Sequence, residues 1–566
     1  MISNHRSIWL VVSIALIGAG LCYDLAGYPL LDPDEGRNAE IAREMAVSGD
    51  FVHPRLETLP YLDKPVLHFA VTAAAIRVLG PTEVAARLPS LAFTVLTLLA
   101  VFWFARRWFG NAAGWTAVVA TATTPFTLAY SRTVIFDATL TFWIVLALIG
   151  FHFAVEDDDE RRRFRWRGLA WGAMALGVLT KGPVAIAVPA LVAAPYAMWR
   201  RRMHRLVDAV AGLLFVALVL PWVLSMERAV PGFLRYALFT ETLRRLMTTD
   251  LHRTGPWWYF LAILPAAALP WTAVALGGWI RRWRTSVTIE PRLVFLALWI
   301  FVPLVFFTLS QSKRPQYILP IVPAFGMAVA AAWHDAPPPL PGARWGAVAL
   351  AAIGGFLVVS SGTIARWIPG APAAVTAQIA PSALAIGILC AGAGVAAWFA
   401  AGSRGPTLVA LSIPTMAIPF VGAGLIHAIA VDRSARGIAE AIRGQAGAAV
   451  EVVAIDAFPP SLPFYLRRPV TVVTDDGAPL TSNYLIRNWN RWRTSPTAPI
   501  RDERWWRDAM ERCTRLRVFV VRADDPRRTD LANHVALLAL TSRYAVYGPC
   551  GLSHYAARPP SPDPAG

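Results

Sequence analysis

The chain has 566 residues, 56% of them hydrophobic and only 16% charged, with a mean hydropathy of +0.47. Soluble domains carry about 25% charged residues, so a water-soluble globular enzyme is excluded. The net charge of +17 does not mark a nucleic-acid surface either, because the cations gather in short blocks between apolar runs: "RRWFG" at Arg106, "ERRRFRWR" at Glu160, "RRRMHR" at Arg200 and "RRWR" at Arg281. That is the pattern of cytoplasmic loops in a protein that crosses a bilayer many times.

In chain order, residues 8–27 form the first apolar run. It is too long for a signal-peptide core and lacks a small-x-small exit, so it reads as an uncleaved first helix. The loop 28–88 follows, opening with "LLDPDEGRNAEIAREM". Asp34 suits the N-cap of an amphipathic helix, with Glu35 beside it and Glu40 and Glu44 on a solvated face. Next comes "LPYLDKPVLHF", with Tyr61, Asp63 and Lys64 ahead of the segment 66–80. Counting 66–80 as a crossing would put every arginine block outside. Laid along the outer interface, it returns them all to the cytoplasmic side.

The remaining spans are expected at 89–107, 112–130, 137–155, 168–181, 183–199, 206–225, 257–280, 293–309, 316–333, 345–365, 375–400 and 406–430, about 13 in all with the first. Asp137 lies in the first turn of one span, and Lys181 in the Gly-Pro turn "LTKGP". The loop 226–256 carries Arg235, Glu241, Arg244, Arg245, His252 and Arg253, and "SQSKRPQYILP" carries Lys313, Arg314 and Tyr317. On this topology all of these loops face the exterior.

So does everything after residue 431, where the pattern changes. "VEVVAID", "VTVVTD" and "RLRVFVVRADD" read as strands and "LANHVALLAL" as a helix. The fold class is thus a mainly α polytopic membrane domain, 1–431, followed by a soluble α/β domain, 432–566. The four cysteines, Cys22, Cys390, Cys513 and Cys550, lack metal-ligand spacing. Cys513 and Cys550 are either a disulfide or two unpaired thiols.

A transporter sets its polar groups near the midplane, whereas here the middles of the spans are almost free of charge. Carboxylates and cations gather at span ends on one face, so the chemistry belongs at that interface with an amphiphilic substrate. Cations suit a phosphate headgroup, and a carboxylate suits a sugar hydroxyl or general-base work.

The ordered motifs "DPDEGRNAEIAREM", "LDKPVLHF", "SRTVIFDATLTFW", "LTKGP" and "SKRPQYILPIVPAF" resemble the bacterial 4-amino-4-deoxy-L-arabinose lipid A transferases, which stand with the protein O-mannosyltransferases in the GT-C class of membrane glycosyltransferases. The resemblance runs through about residues 8–335. It implies an inverting transferase of the bacterial inner membrane, with its active site and carboxy-terminal domain in the periplasm. The donor is a polyprenyl-phosphate sugar, and the acceptor lipid A or another envelope glycan. Transfer to a protein hydroxyl, or a lipid or sugar flippase, are the alternatives.

On that pattern Asp34 and Asp137 are catalytic carboxylates. Lys64, Lys181 and Arg253 bind the donor phosphate, and Glu35, Tyr61, Lys313 and Tyr317 contact substrate. Asp63 and His252 are the positions for a divalent metal, which the sequence does not require. Asp63 stands where the family carries glutamate, and Asn38 where the arabinose transferases carry tyrosine.

Overall fold

The structure, a computed structural model, describes residues 2–244, 255–285, 290–495 and 498–551. The chain divides into two compact units that do not follow a single cut in the sequence. One comprises Met1–Gly27 and Lys64–Ile426, the other Tyr28–Asp63 and His427–Gly566. The expected exterior loop 28–88 is therefore shared between them, its first part folding with the carboxy-terminal residues.

The first unit is helical because its apolar runs satisfy their backbone hydrogen bonds internally, as a bilayer demands. Among the described residues, seven helices are long and apolar enough to cross a membrane. They are Glu83–Phe109, Phe136–Glu156, Ala209–Ala229, Pro291–Leu309, Pro315–Trp333, Ala343–Ser360 and Ala373–Ala400. Two bent pairs, Tyr259–Ala267 with Trp271–Arg284 and Arg404–Val421 with Ala423–Asp432, raise the number to nine. Shorter apolar helices cover Ile8–Cys22 and Val184–Trp199. The expected span 112–130 is broken: a helix over Asn111–Ala122 stops, and Thr124 caps a new one at Pro125–Ser131. Segment 66–80 is a helix over Leu67–Leu79, 13 residues. At about 20 Å it is short of the ~30 Å hydrocarbon core.

Packing in this unit uses small residues where backbones meet. A Cβ added to Gly354 would collide with the Ala391 nitrogen. Two buried arginines bind carbonyls at and just beyond the carboxy-terminal end of the first helix, Ile2–Cys22, whose last carbonyls have no partners within the helix. Arg87 donates to the Leu25 carbonyl at 2.8 Å and Arg132 to that of Gly20 at 2.9 Å.

The second unit holds a hairpin, β1 (Arg55–Leu56) with β2 (Leu59–Pro60), and a six-stranded sheet. The sheet strands are β3 (Glu451–Ile455), β4 (Thr471–Val473), β5 (Ile500–Arg501), β6 (Arg517–Arg522), β7 (Leu537–Leu540) and β8 (Tyr544–Cys550). Their order is β5-β4-β3-β6-β8-β7, with β5, β4, β3 and β6 parallel and the last two antiparallel. Side chains alternate across the sheet. Val452, Ala454, Val518 and Val520 enter one core, while Val453, Ile455, Phe519 and Val521 enter the other. This is why "VEVVAID" and "RLRVFVVRADD" are apolar throughout.

"LANHVALLAL" is not one helix. Arg528–His534 is helical, and "LLAL" becomes β7 because β8 offers it an edge. Cys513 and Cys550 are joined as a disulfide, with Cα atoms 5.8 Å apart.

Carboxylates tie Tyr28–Asp63 into this unit. Asp32 accepts from the Ser461 nitrogen and hydroxyl at 2.8 and 2.7 Å. Glu57 accepts from the Val470 nitrogen at 2.7 Å. Asp63 accepts from the Asn483 and Tyr484 nitrogens at 2.7 and 3.0 Å. Buried N–H groups need such partners, and here each acceptor is ionisable.

Candidate active site

In the helical unit, two of the expected cations stand against carboxylates. Asp137 enters the bundle in the first turn of Phe136–Glu156, where burial requires a counter-charge. Lys181, the last residue of Glu160–Lys181, supplies it: its Nζ donates to Asp137 Oδ1 at 2.5 Å and lies 5.1 Å from the centre of the Tyr317 ring. Three residues from three separate segments, Asp137, Lys181 and Tyr317, are thus brought together. A lysine ammonium has three donors, so its bond to one carboxylate oxygen leaves it capacity for an anionic ligand.

Lys64 lies 3.5 Å from Glu241, at the limit of a hydrogen bond. Glu241 belongs to a π-helical turn, Tyr236–Arg244, a rare geometry that recurs at functional sites. Lys313 is different. Its ammonium donates to the Thr308 and Ser310 carbonyls at 2.9 and 2.6 Å, closing the end of Pro291–Leu309. A cation suits a helix carboxy terminus for this purpose, so the expected substrate contact is here a helix cap.

In the second unit, Asp34 is not the N-cap. The helix runs Asp34–Ser48, Pro33 stands at the cap, and Asp34 pairs instead with Arg37 at 2.6 Å. Its side chain keeps 39% exposure, against 12% for Arg37. Burial works against the Arg37 charge, but Tyr61, Asp34 and Asp63 around it hold the guanidinium above its ordinary pKa. Arg37 also donates to the Thr481 carbonyl at 3.2 Å. Glu35 is buried and accepts from the Leu31 nitrogen at 3.0 Å, and Tyr61 is buried as well.

Glu40 is not solvated. It is fully buried in a two-pronged pair with Arg43 at 2.6 and 2.7 Å. Burial pushes Glu40 up to about 8 and Asp32 up to about 7, the latter against the hydrogen bonds from Ser461. Both oxygens of Asp63 accept backbone N–H groups. Among the described residues no cluster of three His, Cys, Asp or Glu side chains forms a metal-ligand set. His252 and Arg253 lie outside the described residues.

Two of these pairings were not foreseen from the sequence, although Glu241 is among the charges of the loop 226–256. Arg37 had a local signal, since Asp34 and Arg37 are three apart on one helix face. Glu241 had none, being 177 residues from Lys64.

The fold defines a polytopic membrane protein with charged pairs at the ends of its spans. Residues 63–225 match the family described as dolichyl-phosphate-mannose-protein mannosyltransferase. The undecaprenyl phosphate-alpha-4-amino-4-deoxy-L-arabinose arabinosyl transferase of Pseudomonas paraeruginosa is 33% identical over 322 residues, covering 56% of this chain and 58% of that protein. Its counterpart in Serratia proteamaculans is 31% identical, covering 58% and 59%. The chain thus aligns with somewhat over half the length of these relatives. The crystal structure of ArnT from Cupriavidus metallidurans bound to undecaprenyl phosphate superposes with a TM-score of 0.83 at 25% identity, covering 97% of this chain and 98% of ArnT. The chain is thus similar in sequence to membrane glycosyltransferases over part of its length and shares the ArnT fold over nearly all of it.

Proposed function

We propose that the protein transfers a sugar from a polyprenyl-phosphate donor to lipid A or another envelope glycan or lipid, with inversion, at the periplasmic face of the inner membrane. The observation that carries this reading is the Asp137–Lys181–Tyr317 group, a buried carboxylate holding an ammonium at the end of a span. The fold is shared over nearly its whole length with a protein solved bound to undecaprenyl phosphate, the donor class that such an ammonium suits.

In this mechanism negative charge grows on the polyprenyl phosphate as the glycosidic bond breaks. Lys181 and Lys64 stabilise it, each contributing on the order of 10²–10³ in rate. Phosphate displaces Glu241 from Lys64 more readily than it displaces Asp137 from Lys181, because the first contact is the longer. Asp34, the more exposed partner of its ion pair, is the catalytic carboxylate. It takes the proton of a hydroxyl acceptor, or orients the sugar where the acceptor is already an anionic phosphate.

In this topology of about 13 spans, the arginine blocks stay in the cytoplasm and residues 432–566 lie outside. A disulfide between Cys513 and Cys550 agrees with an oxidising compartment. The test is mass spectrometry of envelope lipids from strains carrying the wild-type chain, Asp34→Asn, Lys64→Ala or Lys181→Ala. Loss of the sugar-modified species in the variants is expected, and its persistence in all three overturns the reading.

A further inference from the structure

We propose that a cavity at the arginine-rich end of the helical unit binds the phosphate of an anionic phospholipid headgroup, as a second site. The cavity measures about 920 Å³ and lies among the ends of Glu83–Phe109, Phe136–Glu156 and Pro291–Leu309. His152 lines it, 15 residues along one helix from Asp137, roughly 22 Å away. It is therefore not an extension of the Asp137–Lys181 group.

The first argument is an unmet donor. His152 is 3% exposed, and its Nε2 accepts from the indole N–H of Trp108 at 3.2 Å. An indole can only donate, so a neutral His152 carries its proton on Nδ1. That Nδ1 is buried and has no hydrogen-bond partner. Orphaned buried donors are rare in folded proteins, and this one lies in the wall of a cavity large enough for a headgroup.

The second argument is charge. Three carboxylates line the cavity, and two of them are already paired with arginines. Glu156 takes two hydrogen bonds from Arg200 at 2.7 and 2.8 Å. Glu290 is held by Arg282, and Asp335 by the His334 ring at 2.9 Å. Arg107 and Arg292 also line the cavity, and neither forms an ion pair among the described residues. Arg292 donates to the Trp108 carbonyl at 2.6 Å and lies over the Phe109 ring, which aims its guanidinium while leaving other donors of the fork available. The two arginines form a donor set for one phosphate.

The source is a lipid rather than a free phosphate. The same helices carry exposed apolar residues next to the cavity, such as Trp103, one turn before Arg107. Basic pockets between spans on the arginine-rich side take such headgroups.

The test uses the purified full-length chain in detergent, with native mass spectrometry after titration with phosphatidylglycerol or phosphatidylcholine. Wild-type chain is expected to retain phosphatidylglycerol at least tenfold more tightly than phosphatidylcholine. Arg107→Ala, an exposed change that disturbs no packing, should weaken it about fivefold, and Arg107→Ala with Arg292→Gln about 30-fold. Arg106→Ala, a neighbouring charge that does not line the cavity, should have no effect. Equal retention by the wild type and the double variant overturns the site. Displacement of phosphatidylglycerol by an equal concentration of glycerol 3-phosphate overturns the lipid as its occupant.

Discussion

Three carboxylates of the second unit and two carboxylates of the helical unit are used in opposite ways. In the second unit Asp32, Glu57 and Asp63 accept backbone N–H groups from residues more than 400 positions away, at distances between 2.7 and 3.0 Å. In the helical unit Asp137 and Glu241 face lysines. A carboxylate bonded to backbone is fixed by the fold and cannot be exchanged for a ligand. A carboxylate paired with a lysine holds a cation that an anion can share. Charge at a helix end is therefore not one signal but two, and the partner tells them apart.

The largest expected effect breaks the lysine pairs. Lys181→Ala combined with Asp137→Asn, which removes the buried charge with its partner, should lower turnover by about 100-fold or more while the chain remains folded. Sugar transfer measured in membranes, alongside the melting temperature of the purified chain, checks both halves. Turnover within a factor of three of wild type would erase the distinction between the two kinds of carboxylate.

Next in size is Asp63→Ala, which strands two N–H groups. A loss of about 3 kcal/mol in stability is expected, with little change in activity per folded molecule. Denaturant unfolding and active-fraction titration separate the two outcomes.

A smaller effect is read with pH. Asp32 is held at about 7 against an ordinary value of 3.8 by burial, and Glu40 at about 8 against 4.5, again by burial. A raised carboxyl stabilises the fold most when protonated. Its contribution is present in full below the unfolded value and is lost as pH rises through the folded one. Hydrogen exchange at Tyr28–Asp63, corrected for intrinsic rates, should thus show less protection at pH 8 than at pH 5.5. Asp32→Asn should reduce the difference, leaving the part that Glu40 contributes. Greater protection at pH 8 would mean that Asp32 is held in its charged form.

The smallest expected change is Glu241→Gln. It removes a loose partner from Lys64 and should alter the apparent donor KM by less than fivefold. A larger change would place Glu241 among the groups that bind substrate.

Much of the architecture was legible because membrane spans and buried parallel strands are written locally. Pro291–Leu309 and β6 announce themselves within their own length. Asp137 and Lys181 were legible as charges that a bilayer edge does not tolerate unpaired, and their meeting follows from that cost. What escaped is non-local. Nothing near Asp63 says that Tyr484 will reach it, and nothing near Lys64 points to Glu241. Glu40 was misread for a related reason. Its helix is amphipathic by composition, but Arg43 neutralises it from three residues away and lets the polar face be buried. Strand β7 was hidden in an apolar run whose period suits a helix equally well until β8 is there to pair with it.

The ties between Tyr28–Asp63 and the sheet also have a consequence in time. Asp32 leaves the ribosome 429 residues before Ser461, which at 5–20 residues per second is a wait of roughly 20–90 s. During that interval Asp32, Glu57 and Asp63 have no backbone groups to bind, and the segment that bears Asp34 lacks the framework that shapes it. Synthesis of residues 461–484 is therefore also the moment at which the segment Tyr28–Asp63 gains its partners, so a chain cut short before residue 461 would lose the setting of the Asp34 helix as well as its own end.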